Sequence, residues 1–181
     1  MDKKHDVKKK VKDRLFAALV EFAGQKDWSK LTVTELIEKS GVARASFYRN
    51  FKSVEELIDY GIEQMSQRYH AGKPFQTEAY HSREVMLYKF QFYQENADLV
   101  LAFHHAKMAT TLLDVITDCE IDASGDMSSN SITKYELYYF SGAFYHMMLH
   151  WLEHGAKETP AAMADEFLRI ANNISVQSCQ E

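Results

Sequence analysis

The sequence predicts an all-α protein: an amino-terminal three-helix domain with a helix-turn-helix over residues 1–52, then a larger helical domain over residues 53–181, about nine helices in all. Three observations carry this. The 181 residues include only two prolines and seven glycines, while 46% are apolar. Apolar residues recur at three- and four-residue steps in one segment after another, the period of a helix with a buried face. Two capping boxes, Thr32 with Glu35 and Ser53 with Glu56, flank a Ser40-Gly41 turn. Each marks a helix start, because the hydroxyl takes an orphan amide and the carboxylate reaches back to the cap.

The elements follow in order. Residues 7–23 put Val11, Leu15, Leu19 and Phe22 on one helical face, and Gly24 ends the run. Trp28 and Leu31, in the next loop, are placed to plug a three-helix core. After the Thr32 cap, Val33, Leu36 and Ile37 form an apolar stripe, and Gly41 gives the backbone the freedom of a sharp turn. In the following helix Ala43, Phe47 and Phe51 share a face; Ala45 and Arg49 fall opposite, flanked by Arg44, Ser46 and Tyr48. Residues 53–71 form a connecting helix with Leu57, Ile58, Ile62 and Met65 inward, stopped by Gly72-Lys73-Pro74. Residues 82–96 are helical, as are residues 98–119, with a break expected near His104-His105. Residues 124–131 are a Ser/Gly/Asp/Asn loop. Residues 132–155 form a long helix. Thr159 caps the last one with Pro160 at its first position, running to about residue 176. There is no internal repeat and no low-complexity tract.

Composition excludes several classes. No run approaches the ~20 apolar residues of a membrane span, and the lysine-rich start lacks the apolar core of a signal peptide. Cys119 and Cys179 give neither a disulfide framework nor a zinc pattern, as expected of reduced thiols in a cytoplasmic protein. A Gly-rich phosphate loop, a nucleophile elbow and an evident carboxylate pair are all missing, so no enzyme, metal or cofactor is expected. Net charge is −5, but residues 1–52 hold 13 Lys and Arg against 7 Asp and Glu, and residues 53–181 hold 8 against 19. A basic reader ahead of an acidic body orients an approach to phosphate. Lys3, Lys4, Lys8, Lys9 and Lys10 are either a solvated tail or a flexible arm touching phosphate or a minor groove.

Two short helices, a glycine turn and an exposed face bearing Arg44, Ser46, Tyr48 and Arg49 have the shape and chemistry of a DNA-reading helix-turn-helix. The segment resembles the DNA-binding domain of TetR/AcrR-type bacterial transcriptional regulators. Thr32, Glu35, Leu36, Gly41, Val42, Phe47, Tyr48, Phe51 and Leu57 stand where that family's pattern puts them. One position departs: the family usually has a phosphate-contacting lysine at the start of the fourth helix, and this chain has Val54, with Lys52 nearby as a substitute. The candidate DNA contacts are Thr32, Arg44, Ala45, Ser46, Tyr48, Arg49, Asn50 and Lys52. Arg49 is expected in the major groove, pairing with guanine, or alternatively on phosphate; Tyr48 is expected on phosphate through its hydroxyl.

From Tyr135 to Trp151 nearly every face is apolar or aromatic. Such a helix must be covered all round, either by its own subunit or by a second copy. The resemblance implies the second: the last two helices pack on their copies as a four-helix dimer interface, here with Gly142, Tyr145, His146, Leu149, Phe167 and Ile170. Independently, two-fold partners read half-sites about 34 Å or a multiple apart. The resemblance also implies a small-molecule pocket in this domain, for which Phe90, Tyr93, Phe103, His104, Met108, Tyr139, Phe144 and Met147 are the candidates; plain core is the other reading of each. An apolar or aromatic effector fits them. His146, His150 and His154 share one helical face, as surface or interface histidines or as ligands sharing a metal. The function expected is therefore a cytoplasmic, ligand-responsive repressor that binds a palindromic double-stranded operator as a homodimer. The alternatives are a DNA-binding co-activator or adaptor whose carboxy-terminal domain binds a protein, and a helical small-molecule carrier; Arg44, Tyr48 and Arg49 speak against the carrier.

Overall fold

A computed structural model describes residues 3–23, 25–72, 82–124 and 133–177. The described residues form nine α-helices and one short 3-10 turn, with no strand. No helix among them is long and apolar enough to cross a membrane. The all-α prediction holds. The chain divides into two compact units, Met1–Arg68 with Leu101–Ala109, and Tyr69–Val100 with Thr110–Glu181.

The first unit is built on α1 (Lys3–Glu21), α2 (Val33–Ser40), α3 (Arg44–Tyr48) and the start of α4 (Val54–Gly72). The lysine-rich start is not a tail: it forms the first turns of α1. Straight-chain lysines lose little rotamer freedom in a helix, and no Pro or Gly precedes Gly24 to stop one. Leu15, Ala18 and Leu19 are buried under this helix. Thr32 caps α2 with a complete reciprocal box: Glu35 N–H donates to Thr32 Oγ1 at 3.3 Å, and Thr32 N–H to Glu35 Oε2 at 2.9 Å. At the other end Gly41 has φ +63°, where a side chain is strained. Arg14 donates to the Ser40 carbonyl at 2.8 Å, satisfying one of the last acceptors of α2.

Three details differ from expectation. Ala43 is exposed, because it caps α3 in extended conformation and does not join the buried face of Phe47 and Phe51. The second capping box is offset: Ser53 Oγ accepts from Glu56 N–H at 3.3 Å, but Glu56 reaches past it to Lys52 N–H at 2.6 Å. The α3 helix is also short, because Arg49 and Asn50 already turn the chain towards Phe51.

The core of this unit is closed by residues distant in sequence. Asp27 caps a 3-10 turn at Trp28–Lys30, accepting from Ser29 N–H at 3.0 Å. Trp28, 1% exposed, packs edge-on against Phe103 at 5.2 Å. Phe103 belongs to α6 (Ala97–His105). A break was expected near His104-His105, and α6 ends at His105 with the next helix starting at Ala109. Met108 N–H returns to the Phe103 carbonyl at 2.9 Å, and Lys107 takes φ +63°, as in a helix-terminating Schellman turn.

In the second unit, α5 (Arg83–Glu95) packs along α9 (Pro160–Gln177) and against α8 (Thr133–Glu153); α7 (Ala109–Ser124) belongs mainly to the same unit. Ser82 caps α5, accepting from Val85 N–H at 3.2 Å. Thr159 caps α9 by accepting from Ala162 N–H at 3.2 Å, with Pro160 at the first helical position. Arg83 grips Asp165 through two hydrogen bonds of 2.6 and 3.0 Å, which clip α5 to α9 and hold the Asp165 carboxyl below its ordinary range. Phe90 is fully buried, 5.1 Å from Phe144 and 5.6 Å from Trp151; Tyr93 lies 5.4 Å from Phe144. Lys73 and Pro74 of the expected helix stop, residues 125–131 of the expected loop, and Cys179 lie outside the described residues.

Candidate nucleic-acid interface and regulatory face

The turn between α2 and α3 positions the candidate DNA-reading residues. Phe47 and Phe51 anchor α3 from below, 0% and 4% exposed. Their burial turns Arg44, Ala45, Tyr48 and Arg49 outward, leaving Ser46 and Asn50 half-buried. The arginines are held differently. Arg44 donates through one terminal nitrogen to Thr34 Oγ1 and through the other to Tyr48 Oη, each at 3.4 Å, and its guanidinium lies 5.6 Å from the Tyr48 ring centre. Arg49 follows the last residue of α3 and donates its Nε–H to the Ala45 carbonyl at 3.1 Å. Asn50 donates to the Ser46 carbonyl at 2.7 Å, so its amide secures the end of α3. Thr32 is committed to its capping box. Lys52 is well exposed, with Nζ 3.6 Å from Glu56, whereas Val54 at the departing family position is buried.

Lys26 and Glu35 form an ion pair of 2.5 Å. That ammonium first, then the Thr32 hydroxyl and amide, bring the Glu35 carboxyl down to about 2. Lys39 pairs with Glu21 at 2.7 Å. Both pairs tie α2 to α1 or the loop after it. Thr34 was not among the residues singled out from sequence. Only its place in α2, across the turn from Arg44, brings the two together.

In the second unit, α8 shows two faces. Phe144, Tyr145, Met148, Leu149 and Trp151 are buried. Tyr135, Tyr138 and Tyr139 are 72%, 51% and 50% exposed, and Ile170 on α9 is 41% exposed. A Cβ added at Gly142 meets no atom within 4 Å. Of the dimer candidates, Gly142, His146 and Ile170 therefore border open space, while Tyr145, Leu149 and Phe167 are buried in their own unit. Burial, helped by the Glu153 charge, pushes the Tyr145 phenol above its ordinary range. His146, His150 and His154 are exposed, with the last two rings 4.1 Å apart. The described residues hold no group of three or more His, Cys, Asp or Glu arranged to bind a metal.

A cavity of about 370 Å³ opens between α8 and α9, lined by Tyr139, Phe140, Ala143, Met147, Glu166, Phe167, Ile170 and Ala171. It gathers two of the effector candidates, Tyr139 and Met147, with two of the dimer candidates, Phe167 and Ile170. Phe90, Tyr93 and Phe144 pack on one another instead, and Phe103, His104 and Met108 lie in the first unit. Phe140, Glu166 and Ala171 were not among the candidates read from sequence.

Residues 15–60 match the family described as bacterial regulatory proteins, tetR family. Residues 80–173, more than half the chain, match the family described as transcriptional regulator C-terminal region. The chain belongs to the TetR family of bacterial transcription regulators. The sequence resemblance is thereby confirmed, and with it a DNA-binding role in transcription rather than an enzymatic one. A solved structure, a TetR transcriptional regulator from Streptococcus agalactiae 2603V, shares the fold: it is 16% identical, with 92% of this chain and 96% of that one covered and a TM-score of 0.62. Comparison with curated proteins finds no match. The match over residues 15–60 includes all of α2 and α3, and with them the exposed Arg44, Tyr48 and Arg49.

Proposed function

We propose that this TetR regulator is a homodimeric repressor that binds a palindromic operator and releases it when a small apolar or aromatic compound occupies its carboxy-terminal domain. The observation that carries the reading is the exposed aromatic face of α8, with Tyr135, Tyr138 and Tyr139 in solvent beside an open Gly142. Apolar side chains grouped on one face of a monomer favour association, and a glycine with free space above it lets another helix approach closely. A dimer formed there carries two copies of α3, each reading one half-site. The operator-bound dimer represses by occupying the promoter.

The cavity between α8 and α9 supports the effector part. Its lining is apolar and aromatic apart from Glu166, whose carboxylate is engaged by Arg169 at 2.6 and 2.7 Å. It shares Tyr139 with the exposed face, so a bound compound and the dimer geometry influence each other.

The test combines sedimentation velocity with titration of a selected operator duplex, then a panel of small aromatic compounds screened by melting temperature. The reading expects a dimer, two protomers per duplex, and compounds that both raise the melting temperature and weaken operator binding. A monomer, free and on DNA, contradicts it. Compounds that bind without altering operator affinity contradict the effector role and favour the adaptor reading.

A further inference from the structure

We propose that Arg44, held in place by Thr34 and Tyr48, is the base-reading residue of this protein, and that Arg49 serves the phosphate backbone. The sequence pointed to Arg49, opposite Phe47 and Phe51. The structure distinguishes the two arginines by their surroundings.

Arg44 lies on the exposed side of α3 and is held from two directions. Thr34 Oγ1 on α2 accepts from one terminal nitrogen, and Tyr48 Oη, one turn further along α3, accepts from the other; both bonds are 3.4 Å. The guanidinium also lies 5.6 Å from the Tyr48 ring centre. Each bond is long and weak by itself. Together they hold a side chain that would otherwise sample many rotamers, so less freedom is lost when it meets a base. Each terminal nitrogen keeps a second N–H, and guanine O6 and N7 accept such a pair. Residues near the start of a recognition helix are those that meet base edges. Tyr48 couples the two kinds of contact. Its oxygen accepts from Arg44, so its own proton is free for a phosphate oxygen, and the backbone contact fixes the base reader.

Arg49 has neither support. It follows the final helical residue, and its Nε–H is taken by the Ala45 carbonyl at 3.1 Å. Its remaining N–H groups suit a phosphate, which accepts from many directions and carries no sequence information.

The experiment is selection of binding sites from random duplex DNA with the full chain, followed by affinity measurements across salt. The parent is compared with Arg44→Lys, Thr34→Val, Thr34→Ser and Arg49→Ala. Lysine keeps the charge of Arg44 but loses the paired donors. Arg44→Lys should erase the preference at one position of each half-site, a loss of about 10- to 100-fold in discrimination, with the salt slope unchanged. Thr34→Val should weaken preference at that same position several-fold, and Thr34→Ser should restore it, an outcome that a merely structural threonine would not give. Arg49→Ala should leave the selected sequence unchanged, lower affinity on every duplex, and make the salt slope shallower by about 0.9 per subunit. An Arg44→Lys selection identical to the parent's overturns the inference, as does an Arg49→Ala selection that loses a position. A Thr34→Val selection matching the parent's overturns the positioning role. No enriched sequence from the parent itself would overturn the DNA-reading assignment and this inference together; the other failures leave that assignment standing.

Discussion

Replacing Gly142 by glutamate separates the fold of one subunit from the association of two. Within the subunit the substitution is benign, since a Cβ at Gly142 has no atom within 4 Å and position 142 lies in the middle of α8. Glutamate is the better helix former by roughly 0.5 kcal/mol, so each subunit should be as stable as the parent or slightly more so. In the proposed dimer the same carboxylate is carried into an apolar contact between helices. An unpaired charge there costs several kcal/mol, and two-fold symmetry supplies it twice. Taking ~3 kcal/mol as the net loss, dimer dissociation should become easier by about 100-fold. Sedimentation velocity over a concentration series reads the association, and urea unfolding at the lowest concentration reads the subunit. Tyr138→Glu, at a residue 51% exposed, should behave alike. Tyr145→Glu is a poor probe of the interface, because Tyr145 is 4% exposed within its own subunit and a charge there attacks the fold. A Gly142→Glu protein that dimerises like the parent, with an unchanged unfolding midpoint, refutes the placement of the interface on this face. One that loses subunit stability refutes the open-space reading of Gly142.

Three further expectations concern stability. Phe90→Ala should cost about 3–5 kcal/mol in urea unfolding, because Phe90 is fully buried between Phe144 and Trp151; a loss below ~1 kcal/mol would mean that the site collapses without penalty. Lys107→Gly should raise stability by about 1 kcal/mol, since Lys107 holds φ +63° at the end of α6 and left-handed backbone costs other residues roughly that much; an unchanged melting temperature contradicts this. The Glu35 carboxyl is lowered from 4.5 to about 2 by Lys26 and Thr32. Its contribution is complete above pH ~4.5 and is lost as the pH falls towards 2. Glu35→Gln should flatten the acid limb of stability against pH, and an acid limb identical to the parent's contradicts the assignment.

The local parts of the fold were legible because they rest on short-range chemistry. Thr32 with Glu35, Gly41, Thr159 with Pro160, and the break near His104-His105 each announce a helix end within a few residues. Other features turned on contacts that sequence does not carry. The first helix was legible from Val7 onward, but residues 3–6 carry no apolar periodicity, so its first turn was not. In α8 apolar residues fall on nearly every face, so periodicity could not say that Tyr138 faces solvent while Tyr145 and Leu149 face the core. The Trp28–Phe103 contact joins residues far apart along the chain. Thr34 carries no local signal of its role, which rests on the turn at Gly41 bringing it within 3.4 Å of Arg44. The aromatic candidates for an effector pocket divided for the same reason: Phe90, Tyr93 and Phe144 filled the interior, whereas Tyr139 and Met147 lined the cavity.

The most direct test of the whole account is the salt dependence of binding to a selected palindromic duplex, with stoichiometry read in the same titration. Two protomers per duplex, each neutralising several phosphates at about −0.9 per contact, predict a log–log slope steeper than about −4. A slope near zero, or one protomer per palindrome at saturation, would contradict it.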